Sequence, residues 1–415
     1  MDDFTQELRI TVQGLEVDMY VARLDRPWLG TDYPLEGFRL TSDADVETLR
    51  RLCSHVYVDV SRGASPNPRF VDLGTPDLVR EAQSEEEIAA LRKTVWEVQT
   101  EFDEELADAE AAHESLSESI NTVMEDLQAG RQLTIENLRT GVDAMIDSIT
   151  RNPSAFVWLK AIRRKDDYAY HHALGCSVWA ASFGRHLGLD RSELGELALS
   201  GLLFDVGKTR LPNRLLSQPA PLDESDSAIM RTHVQHSLDI LEGTEGITLR
   251  MLEAIATHHE RHDGSGYPHG LSGTEIPMFG RILGLIDSYH AMTSVRKFME
   301  SRSPHQAVME LYLARGQLYQ AELVEQFIQT CGIYPSGSLV ELSDGCVGVV
   351  TSVHSLRRLR PEVMVLLDAQ KKPVANFRKI DLNDMIEDAN GVVLSIRRGL
   401  PPGAHGIDTA ELFLS

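Results

Sequence analysis

With 415 residues, 42% of them apolar and 25% charged, the chain has a globular composition and room for about two to four domains, which excludes a collagen-like or wholly disordered protein. Its 40 basic and 63 acidic side chains leave a net charge of -23, which excludes bulk electrostatic wrapping of DNA or docking on anionic lipid, so an anionic ligand needs a local pocket. Cys53, Cys176, Cys331 and Cys346 form no CxxC pair, which suits a reducing compartment and not a thiolate zinc ribbon. The acidic start has no basic-then-apolar leader, and the nearest apolar run, Leu197 to Val206, is broken by Ser200 and Asp205. A cytoplasmic protein with no membrane insertion is expected.

Apolar and polar positions alternate through Leu8, Ile10, Val12, Val17, Met19 and Val21, and again over 55–60. With a helix expected over 43–52, this predicts a small α/β module at 1–75, a candidate regulatory or sensory part. From Leu91 to Leu127, apolar or small residues recur at steps of three and four, including Val95, Val98, Phe102, Ala109, His113 and Leu116, and predict one long amphipathic helix over 81–127 within a linker at 76–135. Residues 81–126 carry 15 acidic and 2 basic side chains, so more than half of the excess charge sits here. Two readings stay open: a solvated helix packed on a neighbouring domain, or a coiled coil joining two copies in a homodimer.

Residues 136–330 read as helical throughout, with an expected capping box at Asp190–Glu193 and an N-cap at Ser303 before Pro304. Beyond 331 the period becomes two, around 339–342, 347–350, 363–367 and 377–382, which predicts a small β module ahead of a Pro/Gly-rich tail from Gly399. The fold class is therefore mostly α: a helical bundle core at about 140–330, a small N-terminal α/β domain, a long acidic linker helix and a C-terminal β module.

Ten of the 15 histidines fall within residues 171–290, where even spacing would leave about four. His258 and His259 end an apolar helical stretch and lead into the turn-rich Asp263-Gly-Ser-Gly-Tyr-Pro268. Asp205 and Asp287 each sit in an apolar helical stretch, where an ionised carboxylate needs a partner. Two such acids beside clustered histidines suit a mixed nitrogen and oxygen metal site for iron, manganese, zinc or nickel.

The succession Asp167-Tyr-Ala-Tyr-His-His172, Phe204-Asp-Val-Gly-Lys208, Met230-Arg-Thr-His233, His258-His-Glu-Arg-His-Asp-Gly-Ser-Gly-Tyr-Pro268 and Ile286-Asp-Ser-Tyr-His-Ala-Met-Thr-Ser294 resembles the HD-GYP domain, a branch of the HD phosphohydrolases. The resemblance covers about 140–330. The N-terminal module looks like an uncharacterised domain often fused ahead of such domains, and the segment after Ile333 looks like a frequent C-terminal extension. The resemblance implies a cyclic di-GMP phosphodiesterase, a hydrolase that cuts this second messenger to pGpG and GMP with one or two divalent ions, iron or manganese first. Position by position it implies metal ligands at His172, Asp205, His233, His258, His259 and Asp287, with Asp205 bridging and catalytic. It implies substrate-binding cations at Lys208, also catalytic, and Arg296. Tyr168 stands where three-metal members carry glutamate, which implies at most two ions.

The departures are equally specific. Phe204 replaces the histidine of the HD pair and cannot coordinate, which leaves His172, Asp205 and Asp287 for one ion and Asp205, His233, His258 and His259 for the other. His290 stands where the family has aspartate, and a capping or supporting role is expected for it. His171 points to another helical face, and His262 reads as surface. The expected function is hydrolysis of cyclic di-GMP, slowed by Phe204. The alternative is a catalytically impaired regulator that binds cyclic di-GMP, or a protein partner at the Gly266-Tyr267-Pro268 loop.

Overall fold

The computed structural model describes residues 7–24, 37–60, 62–67, 70, 86–131, 133–162, 168–216, 223–294, 302–353, 360–386 and 391–407. Packing separates the chain up to Glu86 from the chain beyond it.

In the N-terminal unit, strands β1 (Glu7–Thr11), β2 (Tyr20–Leu24), β3 (Phe38–Arg39) and β4 (His55–Asp59) form an antiparallel sheet in the order β1-β4-β2-β3. Helix α1 (Asp43–Leu52) starts where Ser42 and Asp45 cap each other reciprocally. Its Val46 and Leu49 join Ile10, Met19, Val21, Val56 and Val58 in the core, so the alternation seen in the sequence largely faces inward, except at Val17, which is exposed in the turn before β2.

The second unit opens differently from the expected 81–127 helix. Residues 91–101 are not helical: the N–H groups of Lys93 and Thr94 donate to the Gly188 carbonyl, that of Gln99 to the Arg151 carbonyl, and the Trp96 indole to the Leu189 carbonyl. Val95 and Val98, which extended the seam on paper, are exposed. Helix α2 begins only at Phe102 and runs to Gln128, started by a box between Glu101 and Glu104 and by acids in its first turn that complement the helix dipole. Residues 71–85 lie outside the described residues. The seam Ala109, Ala112, Leu116, Ile120 and Val123 is buried within the chain, on α3 (Glu136–Arg151) and α4 (Pro153–Ile162), and so is not available to a coiled coil.

Helices α5 (Tyr168–Leu187), α6 (Arg191–Leu203), α7 (Glu224–Arg231), α8 (His233–Leu241), α9 (Leu249–Thr257) and α10 (Met278–Thr293) complete the bundle that carries the site. Asp190 and Glu193 cap α6 reciprocally as expected. Helix α11 (Pro304–Leu313) starts at its Ser303 cap, and α12 (Ala321–Cys331) follows. The chain then forms an antiparallel sheet of β5 (Leu339–Leu342), β6 (Val347–Ser352), β7 (Glu362–Leu367), β8 (Pro373–Asp381) and β9 (Ile396–Leu400), ordered β8-β7-β6-β5-β9. The first two residues of the expected tail, Gly399 and Leu400, thus belong to a strand, pairing with Val340 and Leu339 of β5, and the tail proper begins after Leu400.

Candidate metal centre

Five elements converge on the centre. Helix α5 brings His172; the turn after α6 brings Asp205; the start of α8 brings His233; the end of α9 brings His258 and His259; and α10 brings Asp287. Asp205 does not lie inside a helix as its apolar surroundings suggested: α6 ends at Leu203, and a 3₁₀ turn runs from Val206 to Arg210. Gly207 permits this, since a Cβ there would overlap the His233 carbonyl and approach Ser237 N at 2.4 Å, both of which closely pack the turn against α8. Ser237 ties the two together, with its Oγ donating to the Phe204 carbonyl at 2.7 Å and accepting from Gly207 N–H at 2.8 Å.

The hydrogen bonds on the far side of each ring decide what the histidines present inward. His233 Nδ1 donates to the Met230 carbonyl at 2.7 Å and His258 Nδ1 to the Ile255 carbonyl at 2.6 Å, and a carbonyl only accepts. Both neutral rings therefore turn a bare Nε2 lone pair into the centre. His233 Nε2 meets Asp205 Oδ1 at 3.2 Å and His259 Nε2 at 3.2 Å. His258 Nε2 and Asp205 Oδ1 are buried without a hydrogen bond. Burial pushes the His258 ring down to about 4 and lowers His233 and His259 too, so the imidazoles stay unprotonated near neutral pH. Burial works to raise the Asp205 carboxyl, but Lys208, His233 and His172 outweigh it and hold it below its ordinary range. Lone pairs facing one another at this spacing repel unless a cation lies between them, so Asp205, His233, His258 and His259, whose ligand atoms all lie within 4.8 Å, fit a divalent ion.

Next to this quartet, His172 Nε2 lies 2.9 Å from Asp287 Oδ1 and 3.6 Å from Asp205 Oδ2. His259 Nδ1 lies 3.8 Å from Asp287 Oδ2, so the six residues named from the sequence share one centre. Phe204 fills its wall, 1% exposed, with its ring centroid 4.7 Å from that of His258 and 5.9 Å from that of His172. Lys208 Nζ sits 2.5 Å from Asp205 Oδ2 and keeps 31% of its side chain exposed, a cation at the rim. His290 is buried behind the centre, with Nδ1 3.1 Å from His172 Nδ1. His171 lies on the neighbouring face of α5 with its ring against Tyr170, and His262 is half-buried, not on the surface as expected. Arg296 and the Tyr168 side chain lie outside the described residues.

Two contributions were not singled out in the sequence. Cys176, one turn beyond His172, brings its Sγ to 3.8 Å from His172 Nε2. Glu260, buried just after the histidine pair, accepts from the N–H of His269 at 2.7 Å and of Leu271 at 3.1 Å. It thereby folds the 263–268 loop back so that Tyr267 stacks on His259, centroids 4.6 Å apart, with the Arg231 guanidinium 4.7 Å from the Tyr267 ring. The His172–Cys176 spacing of four was the available signal for the first. The acid directly after two candidate ligands was the signal for the second.

The comparisons agree with this geometry. Residues 144–323 match the HD domain family, residues 7–138 a domain of unknown function, and residues 339–386 a KOW domain associated with HD domains. The chain thus carries an HD domain over these residues, and its centre is that of a metal-dependent phosphohydrolase. It is 28% identical over 381 residues to a cyclic di-GMP phosphodiesterase of Pseudomonas aeruginosa, covering 90% of this chain and 88% of that protein. A 3'3'-cGAMP-specific phosphodiesterase of Vibrio cholerae is 29% identical over 52% of this chain and 41% of its own length. A cyclic di-GMP phosphodiesterase response regulator of Xanthomonas campestris is 32% identical over 38% of this chain and 44% of its own length. The chain thus spans less than half of the latter two. Among the described residues no helix is long and apolar enough to cross a membrane.

Proposed function

We propose that the protein is a cytoplasmic phosphodiesterase that hydrolyses cyclic di-GMP to pGpG and GMP, with iron or manganese at the centre. The observation that carries this reading is the inward Nε2 lone pairs of His233 and His258 which, with His259, surround Asp205, beside the half-exposed Lys208 cation paired with that carboxylate. Asp205, His233, His258 and His259 would hold one ion, and His172, Asp205 and Asp287 the second. Bound divalent ions supply an activated water and neutralise charge on the phosphorus.

The chain's own side chains do the rest. Lys208 reaches a non-bridging phosphate oxygen from its place over Asp205, and Arg296 is the second cation proposed for that role. Asp205, kept ionised by Lys208, aligns the attacking water in line with the 3' oxygen that leaves. Tyr267, packed flat on His259, keeps that side of the centre apolar and fixes the imidazole plane.

The test is turnover of cyclic di-GMP, with 3'3'-cGAMP in parallel, by protein loaded with iron or manganese, against Asp205→Asn. Production of pGpG and GMP that is lost in Asp205→Asn supports the reading. Tight binding of cyclic di-GMP without turnover in metal-loaded protein overturns it and favours the regulator. Preferential turnover of 3'3'-cGAMP reassigns the substrate.

A further inference from the structure

We propose that Cys176 supplies the fourth protein ligand of the second divalent-metal position, completing a Cys/His/Asp/Asp set with His172, Asp205 and Asp287. The inference rests on the reading of this centre as a metal site and adds a thiolate to it. Residue 204 offers this end only the carbon ring of Phe204, so His172, Asp205 and Asp287 leave one side open. Cys176 lies beside His172, and its ligand atom is within 4.8 Å of those of His172 and His290. It is one helical turn beyond His172 on α5, 0% exposed, and its Sγ is 3.8 Å from His172 Nε2.

Seen from His172 Nε2, the three other donors lie at 2.9 Å (Asp287 Oδ1), 3.6 Å (Asp205 Oδ2) and 3.8 Å (Cys176 Sγ). Metal bonds of about 2.0–2.3 Å in a tetrahedral arrangement put neighbouring donors about 3.3–3.8 Å apart. The spacings bracket that range, with the longest belonging to the larger sulfur. Close helix packing puts the thiol there: a Cβ on Gly201 would lie 3.1 Å from the Cys176 carbonyl oxygen, so glycine lets α6 approach α5 one turn ahead of Asp205.

His290 completes the support. Its Nδ1 lies 3.1 Å from His172 Nδ1 and 3.1 Å from Ser294 Oγ, which fixes the His172 ring with its Nε2 turned to Asp287 Oδ1 at 2.9 Å, where an ion would take the place of the shared proton. When the ion binds, the S–H bond of Cys176 breaks, a sulfur–metal bond forms, and the proton passes to solvent. The resulting donor set is softer than the neighbouring quartet and selects zinc, iron or cobalt over magnesium.

Cobalt(II) is the probe. Full-length protein freed of metal with a chelator and titrated with cobalt should develop a near-ultraviolet thiolate-to-cobalt charge-transfer band as the second ion enters. Cys176→Ser and Cys176→Ala should each lose the band and bind one fewer cobalt ion per chain, while Cys346→Ser keeps both. Thermal melting identifies any variant that fails to fold. Cobalt binding to wild type without the band, or a band that survives in both Cys176 variants, overturns the proposal. A band that disappears in both variants in a protein that never turns over cyclic di-GMP leaves the thiolate site standing and removes only the proposed reaction. No cobalt binding at all removes both.

Discussion

Phe204→His changes a wall residue of the centre that cannot bind metal. Phe204 ends α6 with helical dihedrals (φ -60, ψ -26), and Ser237 holds its carbonyl, so the backbone stays while the ring changes. The ring lies between His258 and His172, so an imidazole there points a nitrogen at the centre. Without metal, the exchange gives up a fully buried apolar ring and leaves a buried ring nitrogen without a partner, a combined loss of about 2–4 kcal/mol. At roughly 2–4 °C per kcal/mol for a unit of this size, melting in chelator should fall by about 4–16 °C. An ion that binds only the folded chain restores about 2.7 kcal/mol at 100 times its dissociation constant, so manganese or iron should recover most of the loss in the variant and shift the wild type less. Calorimetry with and without metal, with metal content measured on the same samples, reads both effects. Each 1.4 kcal/mol gained in the transition state would show as about tenfold in turnover. A variant that melts low and is not rescued by metal refutes the idea that this position reaches the ion.

His258→Ala should remove most bound metal and also lower the melting of metal-free protein, because it deletes a fully buried ring and its Nδ1 hydrogen bond to the Ile255 carbonyl; unchanged metal content by elemental analysis would contradict the assignment. Lys208→Met should keep the metal and lower kcat/KM by about 10²–10³, the cost of one charge-assisted contact to the reacting phosphate. Steady-state kinetics check this, and a change in KM alone would place Lys208 in ground-state binding. Glu105 accepts a bidentate pair from Arg151 at 2.7 and 2.8 Å; burial opposes its ionisation, but Arg151, Ser148 and Thr100 overcome that and lower its carboxyl below the ordinary 4.5. A lowered carboxyl stabilises the fold above its unfolded value and loses that contribution as pH falls through the folded value. The melting difference between wild type and Glu105→Gln should therefore be full near neutral pH and shrink as pH drops below about 4.5, and a difference that grows in acid reverses the sign.

The sequence was most legible where chemistry demands particular side chains. The carboxylates in apolar stretches and the adjacent histidines named the residues that the structure brings together, since neither group is buried cheaply without a role. Periodicity was less reliable. Val95 and Val98 fit a helical seam, yet the backbone there spends its N–H groups on the carbonyls of Gly188 and Arg151, tertiary partners invisible to a local pattern. Cys176 reads as one more small apolar residue of α5; its own helix sets it one turn from His172, and only the approach of α6 at Gly201 packs the helix leading to Asp205 against it. The last strand was hidden because Arg397, Arg398 and Gly399 break the alternation; Arg398 is placed by its pairing with Glu341 on β5.

That last strand decides where the chain can be cut. The KOW match ends at residue 386, but β9 lies beyond it and forms the edge of the sheet, bonded to β5 from Leu342 out to Leu339. A chain stopped at 386 would bare the edge of β5 that β9 covers, on a strand whose four residues are all buried, and leave Glu341 without Arg398. Uncovered edges of this kind pair with other chains. A boundary taken from family matching would thus yield a protein that aggregates through β5, whereas one ending beyond Ile407, which packs into the same small core, would keep the edge closed.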